Sequence, residues 1–168
     1  MQRRTLLKLG LGAATVLAVA GGGMALLRPG LVAGRMTPAS RHVFRGVARG
    51  VLQGSLPADG ATRDAILNAH LQRLDDTLCA FPAPVQAELS QLLALLASAP
   101  GRTGLAGLHH DWSEASDAEI GEALQGMRTS SLALRQQAYH ALRDLTNAAY
   151  YADPQIWALM GYPGPRAV

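Results

Sequence analysis

The segment that decides the fold class runs from Asp59 to Phe81 and reads DGATRDAILNAHLQRLDDTLCAF. Its large apolar residues are spaced four, three, four and three positions apart: Leu67, Leu71, Leu74, Leu78 and Phe81. This spacing places them on one face of an α-helix, as in a packing seam between helices. Asp59 is a residue type that caps helix N-termini. The segment therefore predicts a long amphipathic helix that packs against other helices.

The same helical periodicity recurs on both sides of this segment. A helix is expected from Pro38 to about Gln53, capped by Thr37 and ended by Gly54. Two further helices are expected at about 85–98 and at 103–108. The capping-box pattern Ser116-Asp117-Ala118-Glu119 predicts the start of another. The longest helix is expected from Ser130 or Ser131 through Tyr150, and a last short one after Asp153-Pro154. No stretch alternates Val, Ile and Thr as strands do. The sequence predicts an all-α bundle of five to seven helices with short connections.

The chain begins with a basic motif followed by an apolar run. The motif reads Gln2-Arg3-Arg4-Thr5-Leu6-Leu7-Lys8, and the run continues from Leu9 to Leu27, broken only by Thr15. A charged start before an apolar region is the physical form of a secretory signal. The arginine pair, in register with two leucines and a lysine, resembles the twin-arginine export signal. We therefore expect Arg3, Arg4, Leu6, Leu7 and Lys8 to address a folded protein to the Tat translocase.

The sequence leaves open whether this leader is removed. Ala18-Val19-Ala20 is a small-x-small site, so cleavage after Ala20 is one outcome. The alternative is a retained anchor, because 19 helical residues span about 28 Å, close to the roughly 30 Å hydrocarbon core of a bilayer. We expect the protein in the periplasm, free or anchored to the inner (cytoplasmic) membrane. The chain then divides into a signal or anchor (1–28), a linker (29–37) and a helical domain (38–168).

The charge balance argues against a nucleic-acid partner. The chain has 15 basic and 12 acidic residues, a net charge of +3. Four basic residues lie within the first 28 positions, so eleven arginines face twelve acids in the remainder. A domain without excess positive charge lacks the electrostatic basis of nucleic-acid binding.

Cys79 is the single cysteine, which rules out an internal disulfide, and we expect it to be a small buried apolar residue.

Residues able to support catalysis or metal binding are sparse. The best candidate metal ligands are His109, His110 and Asp111, since imidazole and carboxylate groups bind metals. Adjacent histidines on a helix point about 100° apart and lack a third spaced ligand here, so we predict no metal site. The dinucleotide, P-loop and Gly-x-Ser-x-Gly patterns do not occur outside the leader. We predict no catalytic residues and no cofactor in this chain.

A stripe of arginines lies on the first helix of the predicted domain. Arg41, Arg45 and Arg49 recur every fourth residue, opposite the apolar face. We expect a solvated helix face. The alternative is contact with anionic lipid head groups or with an acidic partner surface, because the stripe follows closely after the apolar run.

The C-terminal end carries a second distinctive pattern. It reads Tyr150-Tyr151-Ala152-Asp153-Pro154, then Trp157, then Gly161-Tyr162-Pro163-Gly164-Pro165. This pattern resembles the C-terminal signature of the gluconate 2-dehydrogenase small-subunit family (subunit 3), whose members commonly carry twin-arginine leaders. The signature is shortened here, because only Gln155 and Ile156 separate Pro154 from Trp157.

The resemblance implies a non-catalytic small subunit of a flavoprotein dehydrogenase. FAD would then belong to the large subunit, and a cytochrome c subunit is left open as a third member of the complex. The residues implied in partner binding are Asp153, Pro154, Trp157, Gly161, Tyr162, Pro163, Gly164 and Pro165. Trp157 and Tyr162 are suited to docking, and equally to closing the domain's own core. A stand-alone exported protein that binds metal or lipid is the alternative function.

Overall fold

The computed structural model describes residues 28–159 and 161–164. The predicted export motif and cleavage site lie outside the described residues, and so does Pro165. Within this part of the chain the fold is an α-helical bundle with one two-stranded hairpin, which confirms the all-α prediction. None of its helices combines the length and the apolar character needed to cross a bilayer.

The order of elements follows the sequence pattern closely. The strands are β1 (Leu31–Val32) and β2 (Arg35–Met36), and the helices are α1 (Pro38–Val51), α2 (Gly60–Cys79), α3 (Ala83–Ala97), α4 (Ala99–Gly101), α5 (Asp117–Arg128), α6 (Ala133–Tyr151) and α7 (Pro154–Leu159). A π-helical turn, Arg102–Ala106, continues directly from α4.

The caps expected at three helix starts are present. Thr37 accepts a hydrogen bond from the Ser40 amide at the start of α1, and Asp59 accepts one from Thr62 at the start of α2. Ser116 and Glu119 form a full capping box at the start of α5. Each of these side chains satisfies an amide that has no partner within its helix. The capping residues thus mark these three boundaries in the sequence.

The start of α6 differs from the prediction. The helix begins at Ala133, and Leu132 at its N-cap makes no side-chain cap hydrogen bond. The Ser130 hydroxyl instead accepts the amide of Leu132 in the preceding turn. This turn delays the helix, so that α2, with 20 residues, is longer than α6, with 19.

The segment 29–37, expected to be a linker, contains the hairpin. Leu31 pairs with Met36 across two residues with positive φ, and both side chains are buried. The amide of Leu31 donates to the Ser90 hydroxyl on α3, and that of Met36 donates to Asp75 on α2. Strands of two residues are too short to produce an alternating pattern, which explains why the sequence did not indicate them.

Helix α1 is the centre of the bundle and packs against α2, α3, α5 and α6. Its residues Val43, Phe44 and Val47 are fully buried in the main core. Trp112, in the loop before α5, is also buried, and its indole N–H donates to the Leu96 carbonyl over 2.8 Å. A second, smaller core joins α1, α2, α6 and α7; it consists of Ala48, Leu52, Leu67, Tyr150 and Ile156.

Candidate functional site

The C-terminal segment is fixed to the bundle through the last turn of α6. Tyr150 is fully buried there, and its hydroxyl donates to the carbonyl of Ser55 over 2.9 Å. Burial raises the pKa of Tyr150, so the hydroxyl stays protonated and remains a donor. His70 on α2 meets the Tyr150 ring edge to face, with 6.1 Å between centroids. The end of α6 is therefore held by both apolar and polar contacts.

Arg73 on α2 holds the turn between α6 and α7. Its Nε donates to the Ala149 carbonyl over 3.0 Å, and its Nη1 lies 2.9 Å from Oδ2 of Asp153. The other carboxylate oxygen of Asp153 accepts the amide of Gln155 over 3.0 Å, at the start of α7. One aspartate thus orients α7 locally and ties it to α2, since its charge strengthens the hydrogen bond from Gln155 and attracts the Arg73 guanidinium.

Ile156 anchors α7 from its apolar side. It is buried in the second core against residues of α1, α2 and α6. Burying a side chain of this size contributes about 1.5–3 kcal/mol. Because α7 has only six residues, it depends on such contacts for its stability.

The tail folds over the neighbouring tryptophan. Trp157 is half-buried and its indole N–H donates to the Tyr151 carbonyl over 2.7 Å. The Tyr162 ring lies 5.6 Å from the Trp157 ring in an edge-to-face arrangement, and its amide donates to the Trp157 carbonyl. Gly161 has a φ of +69°, a conformation that glycine adopts without strain. Gly164 follows so closely that an added Cβ would lie 3.5 Å from the indole.

The sequence left open whether Trp157 and Tyr162 are available for docking or close the domain's own core, and the two residues differ in this respect. Trp157 is used inside the chain, whereas Tyr162 keeps 48% of its surface exposed and Tyr151 keeps 36%. We call Tyr151, Trp157 and Tyr162 the C-terminal aromatic surface. Among the other residues implied in partner binding, Pro154 and Pro163 are exposed and Asp153 is partly buried. The structure thus leaves two tyrosine rings accessible on an anchored backbone.

The arginine stripe of α1 is not the solvated face that we expected. Arg41 pairs with Asp75 and Arg45 pairs with Asp64, both on α2. Arg49 binds Asp117 at the start of α5, with 2.7 Å between Nε and Oδ1. These acids come from other helices, so a pattern within α1 does not reveal them. The stripe joins helices within the chain.

The side chains of His110 and Asp111 have different partners, and His109 accepts a hydrogen bond from Arg102 through its backbone carbonyl. His110 Nδ1 lies 2.6 Å from Glu119 Oε1, and Asp111 pairs with Arg102 over 2.9 Å. Hydrogen bonds from the Ser116 hydroxyl and amide, together with His110, lower the pKa of Glu119 to about 2. Among residues 28–159 and 161–164, no group of three or more His, Cys, Asp or Glu side chains is arranged to hold a metal ion.

Cys79 is not buried as expected, whereas His70 on α2 is buried. Cys79 is exposed, because it is the last residue of α2 and lies next to the inward-facing Leu78 on a helix that turns about 100° per residue. His70 is fully buried, and neither ring nitrogen has a hydrogen-bond partner among the described residues. Burial, reinforced by the charge of Arg73, lowers the pKa of His70 to about 4.

Sequence reasoning missed two residues that position the aromatic surface. In the sequence, Ile156 is only a spacer residue of the shortened signature, and no pattern indicates a role for Arg73. The one available sign that Ile156 faces inward is its position two residues after Pro154, where the predicted helix begins. Arg73 could not have been found this way, because its partners lie on α6 and beyond it.

Comparison with known proteins adds no relative: no family model, curated protein or solved structure matches this chain.

Proposed function

We propose that this chain is the non-catalytic small subunit of a flavin-dependent dehydrogenase of the glucose-methanol-choline type. It supports folding of the large subunit, carries it through the Tat translocase and holds it at the membrane. FAD is bound by the large subunit. The observation that carries the proposal is the C-terminal signature, whose tyrosines Tyr151 and Tyr162 stay exposed on a firmly anchored segment.

The anchoring supports a docking role on physical grounds. Tyrosine and tryptophan contribute large contact areas at protein interfaces while losing few rotamers. A surface that is already ordered before binding avoids part of the entropic cost of association. Here Arg73, Ile156 and the Trp157 indole fix the backbone that carries both tyrosines. The conformational entropy of this surface is therefore lost when the small subunit folds, before the large subunit binds.

Co-purification tests the partner assignment. A C-terminal tag would disturb the aromatic surface, so an internal tag in the exposed turn between α2 and α3, at Pro82, is preferable. The tagged full chain is isolated from its native membranes, and flavin is detected in the eluate by absorbance and by release of FAD. We expect a flavoprotein of larger mass in a fixed ratio to this chain. Recovery of the chain without any flavoprotein would contradict the proposal.

Export of the large subunit tests the carrier role separately. Arg3 and Arg4 are both replaced by Lys, which retains the charge but removes the arginine pair. We expect the large subunit to accumulate in the cytoplasm together with the variant. Replacing Arg28 by Lys is the matched control, because it lies after the apolar run. Unchanged periplasmic dehydrogenase activity in the double variant would refute the carrier role.

A further inference from the structure

A second site lies away from the C-terminal aromatic surface. A cleft of about 360 Å³ opens between the end of the π-helical turn, α5 and the first turn of α6. Its walls include Gly107, Leu108, Glu119, Glu122, Gly126 and Arg135. The two glycines bring the backbone close to the arginine: a Cβ added at Gly107 would lie 3.3 Å from Arg135 Nη2, and one at Gly126 would lie 3.7 Å from it. The guanidinium is thus a wall of the cleft.

Most arginines of the described chain have a carboxylate partner, and Arg135 does not. Eight of those arginines form ion pairs with aspartates. Arg135 has no carboxylate within 4.0 Å among the described residues, and its hydrogen bond runs from Nε to the Leu105 carbonyl over 2.9 Å. That bond fixes the guanidinium plane and leaves the two terminal nitrogens for a ligand. A fixed guanidinium binds a carboxylate with two parallel hydrogen bonds.

The position of Arg135 in α6 increases the need for an anion. It is the third residue of a helix whose first turn contains no acidic residue. The N-terminal end of a helix carries partial positive charge, which makes an additional cation unfavourable there. A carboxylate bound at Arg135 would offset both charges.

The lining of the cleft also includes a carboxylate without an ion pair among the described residues. Glu119 is occupied by Ser116 and His110. Glu122, one turn further along α5, is exposed and has no cationic partner among the described residues. A ligand with an ammonium group would pair with it, whereas a simple anion would be repelled. Leu108 and Ala123 also line the cleft and provide an apolar surface that suits a small aliphatic group.

We propose that this cleft binds an α-amino acid as its zwitterion, with the carboxylate on Arg135, the ammonium group beside Glu122 and the side chain over Leu108 and Ala123. This binding site is independent of the proposed subunit role.

Calorimetric titration of the purified full chain tests the ligand class. The probes are L-alanine and L-leucine as zwitterions, acetate as a carboxylate alone and methylammonium as a cation alone. We expect at least one amino acid to bind, and both single-charge probes to bind about tenfold more weakly or worse, since each lacks a charged hydrogen bond. Absence of binding by both amino acids, or equal binding of acetate, would overturn the proposal.

Substitutions test the location of the site. Arg135→Gln and Glu122→Gln should each weaken amino-acid binding by about tenfold or more. Gly126→Leu fills the cleft and should abolish binding. Gly121→Leu is the matched control on the same helix, because a Cβ there meets nothing within 4 Å. Circular dichroism confirms that each variant folds. Equal affinities in Gly126→Leu and Gly121→Leu would place the ligand elsewhere and contradict the proposal.

Discussion

Arg73 on α2 forms an ion pair with Asp153 at the start of α7, with 2.9 Å between Nη1 and Oδ2. Both side chains are mostly covered, at 28% and 17% exposure. The same guanidinium also binds the Ala149 carbonyl at the end of α6. The pair therefore determines the direction in which the chain leaves α6 and where the C-terminal aromatic surface lies.

Loss of this ion pair should loosen the C-terminal segment. We expect Arg73→Met to lower the free energy of unfolding by about 1–3 kcal/mol, because the ion pair with Asp153 and the hydrogen bond to the Ala149 carbonyl are removed together. Urea denaturation measures the change, and limited proteolysis should cut earlier after Tyr151. Arg143→Met is the control: its ion pair with Asp144 is exposed and should change stability by less than about 0.5 kcal/mol. Equal effects would argue against a clamp at Arg73.

Removal of the two exposed tyrosine rings should weaken binding of the large subunit and have little effect on the stability of this chain. Tyr151→Ala combined with Tyr162→Ala leaves the Trp157 hydrogen bond to the backbone of residue 151 intact. We expect less than about 1 kcal/mol of destabilisation, as for exposed side chains, and loss of most of the large subunit from the co-purified complex. Tyr139→Ala, on another part of α6, is the control. Full recovery of the complex with the double variant would contradict the docking role.

Glycine at position 46 should be required by the packing of α1. A Cβ there would lie 2.8 Å from the Trp112 ring, so Gly46→Ala forces the buried indole to shift. We expect a loss of about 1–3 kcal/mol from overpacking, although alanine is favoured over glycine in a helix by about 1 kcal/mol. Gly121→Ala, with open space around it, should instead stabilise the protein by about 0.5–1 kcal/mol. Thermal or urea unfolding of both variants gives the comparison; stabilisation by both would be inconsistent with close packing at Gly46.

His70 should make stability depend on pH in the mildly acidic range. Its pKa falls from 6.5 to about 4 in the folded state, through burial and the charge of Arg73. The unfolded chain thus binds the proton more tightly, and stability should fall as the pH drops from about 6.5 to about 4, by an amount on the order of 3 kcal/mol. Below pH 4 this group adds no further loss.

Substitution identifies the group responsible. In His70→Leu, the decline between pH 6.5 and pH 4 should flatten, because no buried imidazole remains to be protonated. The exposed His140 provides the matched control, and His140→Leu should retain the decline. Chemical denaturation at a series of pH values measures both. A decline of the same size in all three proteins would assign the pH dependence to other groups.

Much of the fold could be predicted because it is encoded locally. The spacing of Leu67, Leu71, Leu74 and Leu78 predicted α2, and those four residues are buried. The cap at Asp59 and the capping box at Ser116 were predicted correctly, since a cap and its amide lie within three residues of each other. The hairpin at 31–36 was missed because contacts with α2 and α3 stabilise strands of only two residues.

The candidate site was less accessible to sequence reasoning. The pattern of the C-terminal aromatic residues is visible in the sequence, but the difference between half-buried Trp157 and exposed Tyr162 depends on how the tail turns at Gly161. The acids that neutralise Arg41 and Arg45 lie on α2, so the use of the arginine stripe could not be read from α1. The amino-acid cleft had no sequence pattern, because its walls come from three separate elements.

The sequence by itself determined the helical class and the caps at Thr37, Asp59 and Ser116, because periodicity and capping act over a few residues. Only the tertiary structure decided which charged residues neutralise one another, that Cys79 is exposed and that His70 is buried. Those properties depend on which helix faces meet, and the meeting residues are far apart in the chain. The same reason explains why Arg73 fixes the C-terminal surface while Arg135 is left facing an open cleft.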